Sequence, residues 1–267
     1  MPSEVLSGAT IYYETHDFTA PWAPKRPALL FVHGINSSHE HWFNQVPVFC
    51  RDRKVISVDL RGHGASSIPP DGYSAQDHAG DLAELLDKLE CNAVTVVGAS
   101  LGGCIAQQLT ARIPEKVKAV VLVGSCAQVP AELNRAEMLP MIEQMGFKNF
   151  LASVLPTATF SPNAHPGLID FALRIGASSP DQVIKLRTLG GLAYDDLETA
   201  RNVRCPALIV VGEDDKTTPR HCSETLRELI AGSSLAVVPA CGHLPHLEAP
   251  DAFNPILERF LKQHPEA

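Results

Sequence analysis

Short β-branched and aliphatic runs recur along the chain, and stretches with helical amphipathicity separate most of them. The runs at 28–32, 54–59, 93–97, 118–123, 207–211 and 235–238 read as strands, and 10–14 as an antiparallel edge strand. Ala207-Leu208-Ile209-Val210-Val211 has no polar position, which suits a strand covered on both faces of a parallel sheet. Between the runs, 77–89 places Leu82, Leu85, Leu86 and Leu89 at helical spacing, with Asp81, Glu84, Asp87 and Lys88 on the other face. Residues 101–112, 219–230 and 250–261 also read as helices, the last two with a proline near the first turn. Strands alternating with helices predict an α/β fold, a mostly parallel central sheet with helices on both faces.

Residues 128–199 break this alternation. They read as short helices and loops without a convincing strand, hence as a helical cap inserted into a core made of 1–127 and 200–267. Met138, Met141 and Met145 fall in this insertion at helix-compatible spacing, which predicts packing inside the cap. The competing reading is a soft wall for an apolar ligand, since methionine adapts to irregular shapes.

Composition narrows the class. Over 267 residues, 45% are hydrophobic and 19% charged, enough apolar surface for a sizeable core. With 22 Lys and Arg against 30 Asp and Glu, the net charge of −8 argues against nucleic acid or an acidic membrane face as partner. The charge-free stretches 91–111 and 149–169 are interrupted by polar residues and by Pro156, Pro162 and Pro166, so neither reads as a membrane span. Seven cysteines, no two within four residues, suggest a reducing, cytoplasmic setting. The first 18 residues have no apolar core of a signal peptide, so none is expected.

The strongest chemical signal is Gly98-Ala99-Ser100-Leu101-Gly102, which follows the run 93–97 and opens the helix 101–112. A serine between flanking glycines at a strand-to-helix turn is lifted above the carboxyl edge of the sheet, at a helix N-terminus that favours developing negative charge. A dinucleotide loop needs Gly-x-Gly-x-x-Gly, and Gly98-x-x-x-Gly102-Gly103 lacks that spacing. Ser100 needs a base. Of eleven histidines, His243 follows the last strand at the same sheet edge, beside a small Gly242; His246 is its rival. The base needs an acid, and Glu213, Asp214 and Asp215 all follow the run 207–211.

The order nucleophile, acid, histidine resembles the α/β-hydrolase superfamily. So do His33-Gly34, Asp59-Leu60-Arg61-Gly62-His63-Gly64-Ala65-Ser66, and Gly242-His243-x-Pro245-x-x-Glu248-x-Pro250. The resemblance runs from about residue 28 to 261. It implies Asp215 as the acid, because Gly212, Asp215 and Pro219 match the family's spacing. It also implies an oxyanion hole from the backbone N–H groups of Ile35 and Leu101, with Gly34, Gly98 and Gly102 supporting. His33 is read as organising the oxyanion loop and His63 the 59–66 turn. A serine rather than an aspartate at position 100 speaks against dehalogenase and epoxide hydrolase relatives. His33, His39 and His41 lack zinc-site spacing, so no metal and no cofactor is expected.

The implied activity is hydrolysis of a carboxylic ester or lactone of a small to medium organic substrate. Carbon–carbon bond hydrolysis, enol-lactone hydrolysis and acyl transfer are the alternatives within the fold. A small-molecule signal receptor is the alternative outside catalysis. The sequence leaves oligomeric state open.

Overall fold

The computed structural model describes residues 2–131, 133, 135–178, 190 and 193–267. Strands β1 (Ser3–Val5), β2 (Thr10–His16), β3 (Ala28–Val32), β4 (Val55–Val58), β5 (Val94–Ala99), β6 (Val117–Val123), β7 (Ala207–Gly212) and β8 (Ser234–Val238) form an eight-stranded sheet in the order β1-β2-β4-β3-β5-β6-β7-β8. The pairs from β4 through to β8 are parallel, whereas β1–β2 and β2–β4 are antiparallel. The strand at 10–14 is antiparallel as expected, but β1 pairs outside it and takes the edge.

The continuous apolar runs are buried on both faces because alternate residues enter two different cores. After the short helix α1 (Val46–Phe49), the chain forms the helices α2 (Ala75–Lys88) and α3 (Leu101–Arg112), and Leu30, Val32, Ile56, Val96, Val120, Leu122 and Ile209 pack with them through Leu82, Leu85, Ile105 and Leu109. Leu29, Phe31, Val97, Val121, Val123, Leu208 and Val210 face the other way, onto Trp42, Phe49 and the C-terminal helix 250–263, through Phe253, Leu257 and Phe260. A one-residue register slip in any of these strands would exchange the two cores, which fixes the heights of the strand ends.

Between β6 and β7 lie helices α4 (Arg135–Met145) and α5 (Phe147–Val154), a π-helical turn (Leu155–Thr159) and α6 (Pro166–Gly176). Ile142, Phe147, Phe150 and Leu151 form a small core there, with Met138 packed against it. Met141 and Met145 are 49% and 38% exposed, so of the three methionines expected inside the cap only Met138 packs there. The chain re-enters the body beside its exit point, where Gln128 bridges Asp195. Helix α7 (Leu197–Arg201) then packs on α3, and Leu197, Ala200 and Val203 join the main core.

Three buried histidines should make the fold acid-sensitive. Burial pushes His41 and His78 down to about 3 and His246 well below the usual histidine range. A histidine depressed in the folded state contributes stability above its unfolded value, roughly 6.5, and loses it as pH falls toward the folded value. Each should cost about 1.4 kcal/mol per pH unit in that window. The thermal midpoint should therefore drop steeply between pH 6.5 and 5, before most carboxylates titrate. A scan that is flat from pH 7 to 5 would contradict this.

Candidate active site

Ser100 stands at the carboxyl end of β5, between that strand and α3, with φ 54° and ψ −119°. A non-glycine residue rarely adopts that backbone, and holding it costs on the order of 1–3 kcal/mol. Close packing imposes the turn. A Cβ on Gly98 would lie 2.1 Å from the Gly102 carbonyl oxygen, and one on Gly102 would lie 2.2 Å from that of Val32. The flanking glycines are thus required by backbone approach. The Ser100 N–H donates to Val123 O at 2.8 Å, and the fully buried Ser125 hydroxyl donates to Ser100 O at 3.0 Å.

His243 and Asp215 come together from the ends of β8 and β7. His243 Nδ1 donates to Asp215 Oδ2 at 2.9 Å, with side chains only 4% and 0% exposed. A proton on Nδ1 leaves Nε2 of the neutral ring as an acceptor, the tautomer a general base requires. The carboxylate is itself held. Oδ1 accepts the N–H groups of Thr217 and Thr218, each at 2.9 Å, and Oδ2 accepts the Thr218 hydroxyl at 3.0 Å. Glu213 turns away to accept the Ala240 N–H, and the Asp214 N–H donates to Cys241 O. Of the three acids the sequence left open, Asp215 is the one joined to His243.

The rival His246 is a core residue, 1% exposed and stacked on Trp42 with ring centroids 4.3 Å apart. Gly242 also has a different reason from the expected one. A Cβ there would meet Thr159 O at 2.5 Å, so the glycine admits the chain of the 128–199 insertion rather than freeing the histidine.

Ser100 and His243 flank the same end of β6. Val123 accepts the Ser100 N–H, and Gly124, the next residue, lies under the His243 ring at φ +51°. A Cβ there would come within 2.5 Å of His243 O and 3.0 Å of Nδ1. The roles of Gly124, Ser125 and Thr218 were not legible in the sequence because they depend on contacts between distant segments. A glycine immediately after a strand that ends beside the nucleophile was the only available signal.

The loop at Gly34 runs directly against the serine. A Cβ on Gly34 would sit 3.0 Å from Ser100 Cβ and 3.2 Å from Ala99 O. Two neutral histidines fix this loop. His33 Nε2 accepts the Leu60 N–H at 3.0 Å, so its proton lies on Nδ1, which donates to Gly34 O at 2.7 Å. His63 Nε2 accepts the Asn36 N–H, and its Nδ1 donates to Arg61 O at 2.9 Å. Asp59 fastens the same region by accepting the N–H groups of His39 and Ala65 and the His39 ring. His33, His39 and His41 thus go to different partners: His39 to Asp59, His41 to an apolar niche beside Phe171. Among the described residues, the N–H groups of Ile35 and Leu101 make no hydrogen bond.

The cysteines near the site are packed thiols. Cys104 is 3% exposed with Sγ against Ser125 and Cys126 O. Cys241 is fully buried, and burial pushes its thiol up to about 12. Iodoacetamide at pH 8 should therefore leave Cys241 unmodified in the native protein and alkylate it after denaturation, read by peptide mass mapping. Rapid native labelling would mean that the 241–248 turn opens.

The chain is similar to several known hydrolases. The chain is 28% identical over 245 residues to a 3-oxoadipate enol-lactonase of Acinetobacter baylyi, covering 89% of this chain and 90% of that one. It is 28% identical to a 2-hydroxy-6-oxo-6-(2'-aminophenyl)hexa-2,4-dienoic acid hydrolase of Metapseudomonas resinovorans, covering 90% and 86%. A solved structure described as an N-acyl homoserine lactone degrading enzyme superposes with a TM-score of 0.86 at 26% identity, covering 97% of this chain and all of that one. No helix among the described residues is long and apolar enough to cross a membrane. The alpha/beta hydrolase fold model matches residues 27–250, the stretch that holds the serine turn, the acid loop and the histidine loop, and the chain belongs to that family.

Proposed function

We propose that the protein is a serine hydrolase that cleaves a carboxylic ester or lactone of a small to medium organic substrate through an acyl-enzyme. The observation that carries the reading is the buried Asp215–His243 pair beside a serine held at positive φ. Ser100 Oγ attacks the carbonyl carbon while His243 Nε2 takes the hydroxyl proton. The N–H groups of Ile35 and Leu101 hold the tetrahedral oxyanion, each donor contributing roughly 3–4 kcal/mol of transition-state stabilisation. Collapse expels the alkoxide, which receives the proton from His243. A water then attacks the acyl-enzyme, again through His243, and releases the carboxylic acid. No step requires a cofactor or metal. The described helices between 135 and 176 serve as part of the cap expected over 128–199, of which 179–189 lie outside the described residues, and the seven free thiols fit a reducing, cytoplasmic setting.

The resemblance to an enol-lactonase and to a lactone-degrading structure supports ester and lactone substrates. The similarity to the dienoic acid hydrolase keeps carbon–carbon cleavage as the second reading. The family's ring-fission members usually carry a Ser-Gly-Gly-Pro-Gly-like oxyanion loop, and His33-Gly34-Ile35-Asn36 departs from it. A panel of p-nitrophenyl acetate and butyrate, an enol-lactone, an acyl homoserine lactone and a vinylogous diketone tests both. Ester or lactone turnover with an acyl-enzyme burst supports the proposal. Diketone cleavage alone moves the reaction to carbon–carbon bonds. Binding without turnover of any member identifies a receptor.

A further inference from the structure

The segment 158–161 of the insertion is stitched to the loops that carry the acid and the histidine. The His243 N–H donates to Thr159 O at 2.7 Å, and the Thr217 hydroxyl donates to Ala158 O at 3.0 Å. The third stitch is the half-buried carboxylate of Glu248. Its Oε1 accepts the Gly242 N–H at 3.2 Å and the Ser161 N–H at 3.3 Å, and its Oε2 accepts the same Ser161 N–H at 3.2 Å. Glu248 closes the short helix Pro245–Glu248, so its backbone belongs to the histidine turn while its side chain reaches across to the insertion.

The contact is close on every side. A Cβ at Gly242 would strike Thr159 O, Ser161 N and Phe160 C within 2.8 Å, and one at Gly212 would lie 1.9 Å from Gly242 O. The insertion, the histidine turn and the end of β7 therefore stack without slack at Gly242. Just before this contact the chain takes its π-helical turn, Leu155–Thr159. Such turns are rare and cluster at functional sites. Two N–H groups from distant segments converging on one carboxylate are charge-assisted hydrogen bonds, stronger than neutral ones.

We infer that Glu248 is a positioning residue for the base: by joining Gly242 to Ser161 it sets where His243 stands relative to the insertion, so acyl transfer depends on this clasp. The Glu248 carboxylate accepts the Gly242 and Ser161 N–H groups, neither of which is a reacting group. It acts through the peptide that precedes His243. The inference rests on His243 being the base, as proposed above. Geometry of this kind affects the chemical step more than ground-state binding, because a displacement of about 1 Å at a reacting group costs on the order of 100-fold in rate.

The test measures kcat and KM with a p-nitrophenyl ester for Glu248→Ala and Glu248→Gln. Concentrations are corrected to active sites titrated with an organophosphonate, and thermal midpoints are recorded alongside. Glu248→Ala should lower kcat per titrated site by roughly 100-fold while KM stays within about twofold. Glu248→Gln keeps one oxygen able to accept both N–H groups and should recover kcat to within about tenfold of the parent. If Glu248→Ala does not fold, Glu248→Gln and Glu248→Asp carry the test. Asp is too short to reach both donors and should fall well below Gln. A role confined to stability would lower the midpoint and the fraction of active sites and leave kcat per site unchanged, and that result overturns the inference. Ser100→Ala and His243→Gln run in parallel. If both are inactive while the Glu248 series keeps full kcat per site, the clasp fails alone. If either keeps near-normal turnover, the active-site reading fails and the clasp with it.

Discussion

Ser100→Ala is expected to lower kcat roughly a million-fold and to abolish the acyl-enzyme burst, with the fold intact. In the proposed mechanism the serine hydroxyl forms the covalent bond, and among the described residues no other hydroxyl stands on this turn. It stands at φ 54° on the turn between β5 and α3, against the Gly34 loop and across the end of β6 from His243. Ser66 and Ser125 are committed elsewhere, Ser66 donating to Asp59 O and Ser125 to Ser100 O. A fluorophosphonate should therefore label one residue stoichiometrically, and mass mapping should place the adduct on Ser100. Alanine keeps the Cβ and hence the strained backbone, so the thermal midpoint should stay within a few degrees. Ser100→Gly removes the positive-φ penalty and should raise the midpoint by roughly 2–4 °C, about 1 kcal/mol in a chain of this size. Near-normal turnover by a verified Ser100→Ala protein would remove the acyl-enzyme mechanism altogether.

How far the site could be read from sequence depended on whether its causes were local. The six parallel strands were legible because each carries a dense apolar run, which burial on both faces demands in all but the edge strand β8. β1 was not, since Ser3-Glu4-Val5 is short, largely exposed and set only by pairing with Thr10–Tyr12. The serine turn was legible because its two glycines are enforced within five residues. The choice among Glu213, Asp214 and Asp215 was open to residue-level reading, because it depends on how the loop after β7 meets a loop 28 positions later. Only the resemblance to a family decided it. The two histidines three residues apart part company for the same reason: one turn carries His243 to Asp215 and His246 to Trp42. Met141 and Met145 share a helical spacing with Met138, yet Met138 and Ile142 pack into the small core while Met141 and Met145 stand exposed. Periodicity marks a face without saying whether anything covers all of it.

Asp215→Asn should lower kcat by roughly 10⁴-fold with little loss of stability, whereas Asp214→Asn should change it less than about tenfold. Both substitutions remove one charge from the same loop, so their difference isolates geometry from electrostatics. In the native site the Asp215 carboxylate accepts four hydrogen bonds, from His243 Nδ1, Thr217 N, Thr218 N and the Thr218 hydroxyl. An asparagine oxygen facing the two backbone donors keeps them. Its NH₂ group then faces His243, where it can only donate. That forces the ring proton from Nδ1 to Nε2, and Nε2 can no longer take a proton from Ser100. The Thr218 hydroxyl also lies 3.3 Å from His243 Nδ1, so it can rotate to accept from the amide instead, which is why the fold should tolerate the change. Asp214 donates its N–H to Cys241 O through the main chain, and asparagine preserves that contact. Kinetics of both variants on one ester, with midpoints measured alongside, decide the matter, and the reverse ranking would transfer the acid to Asp214.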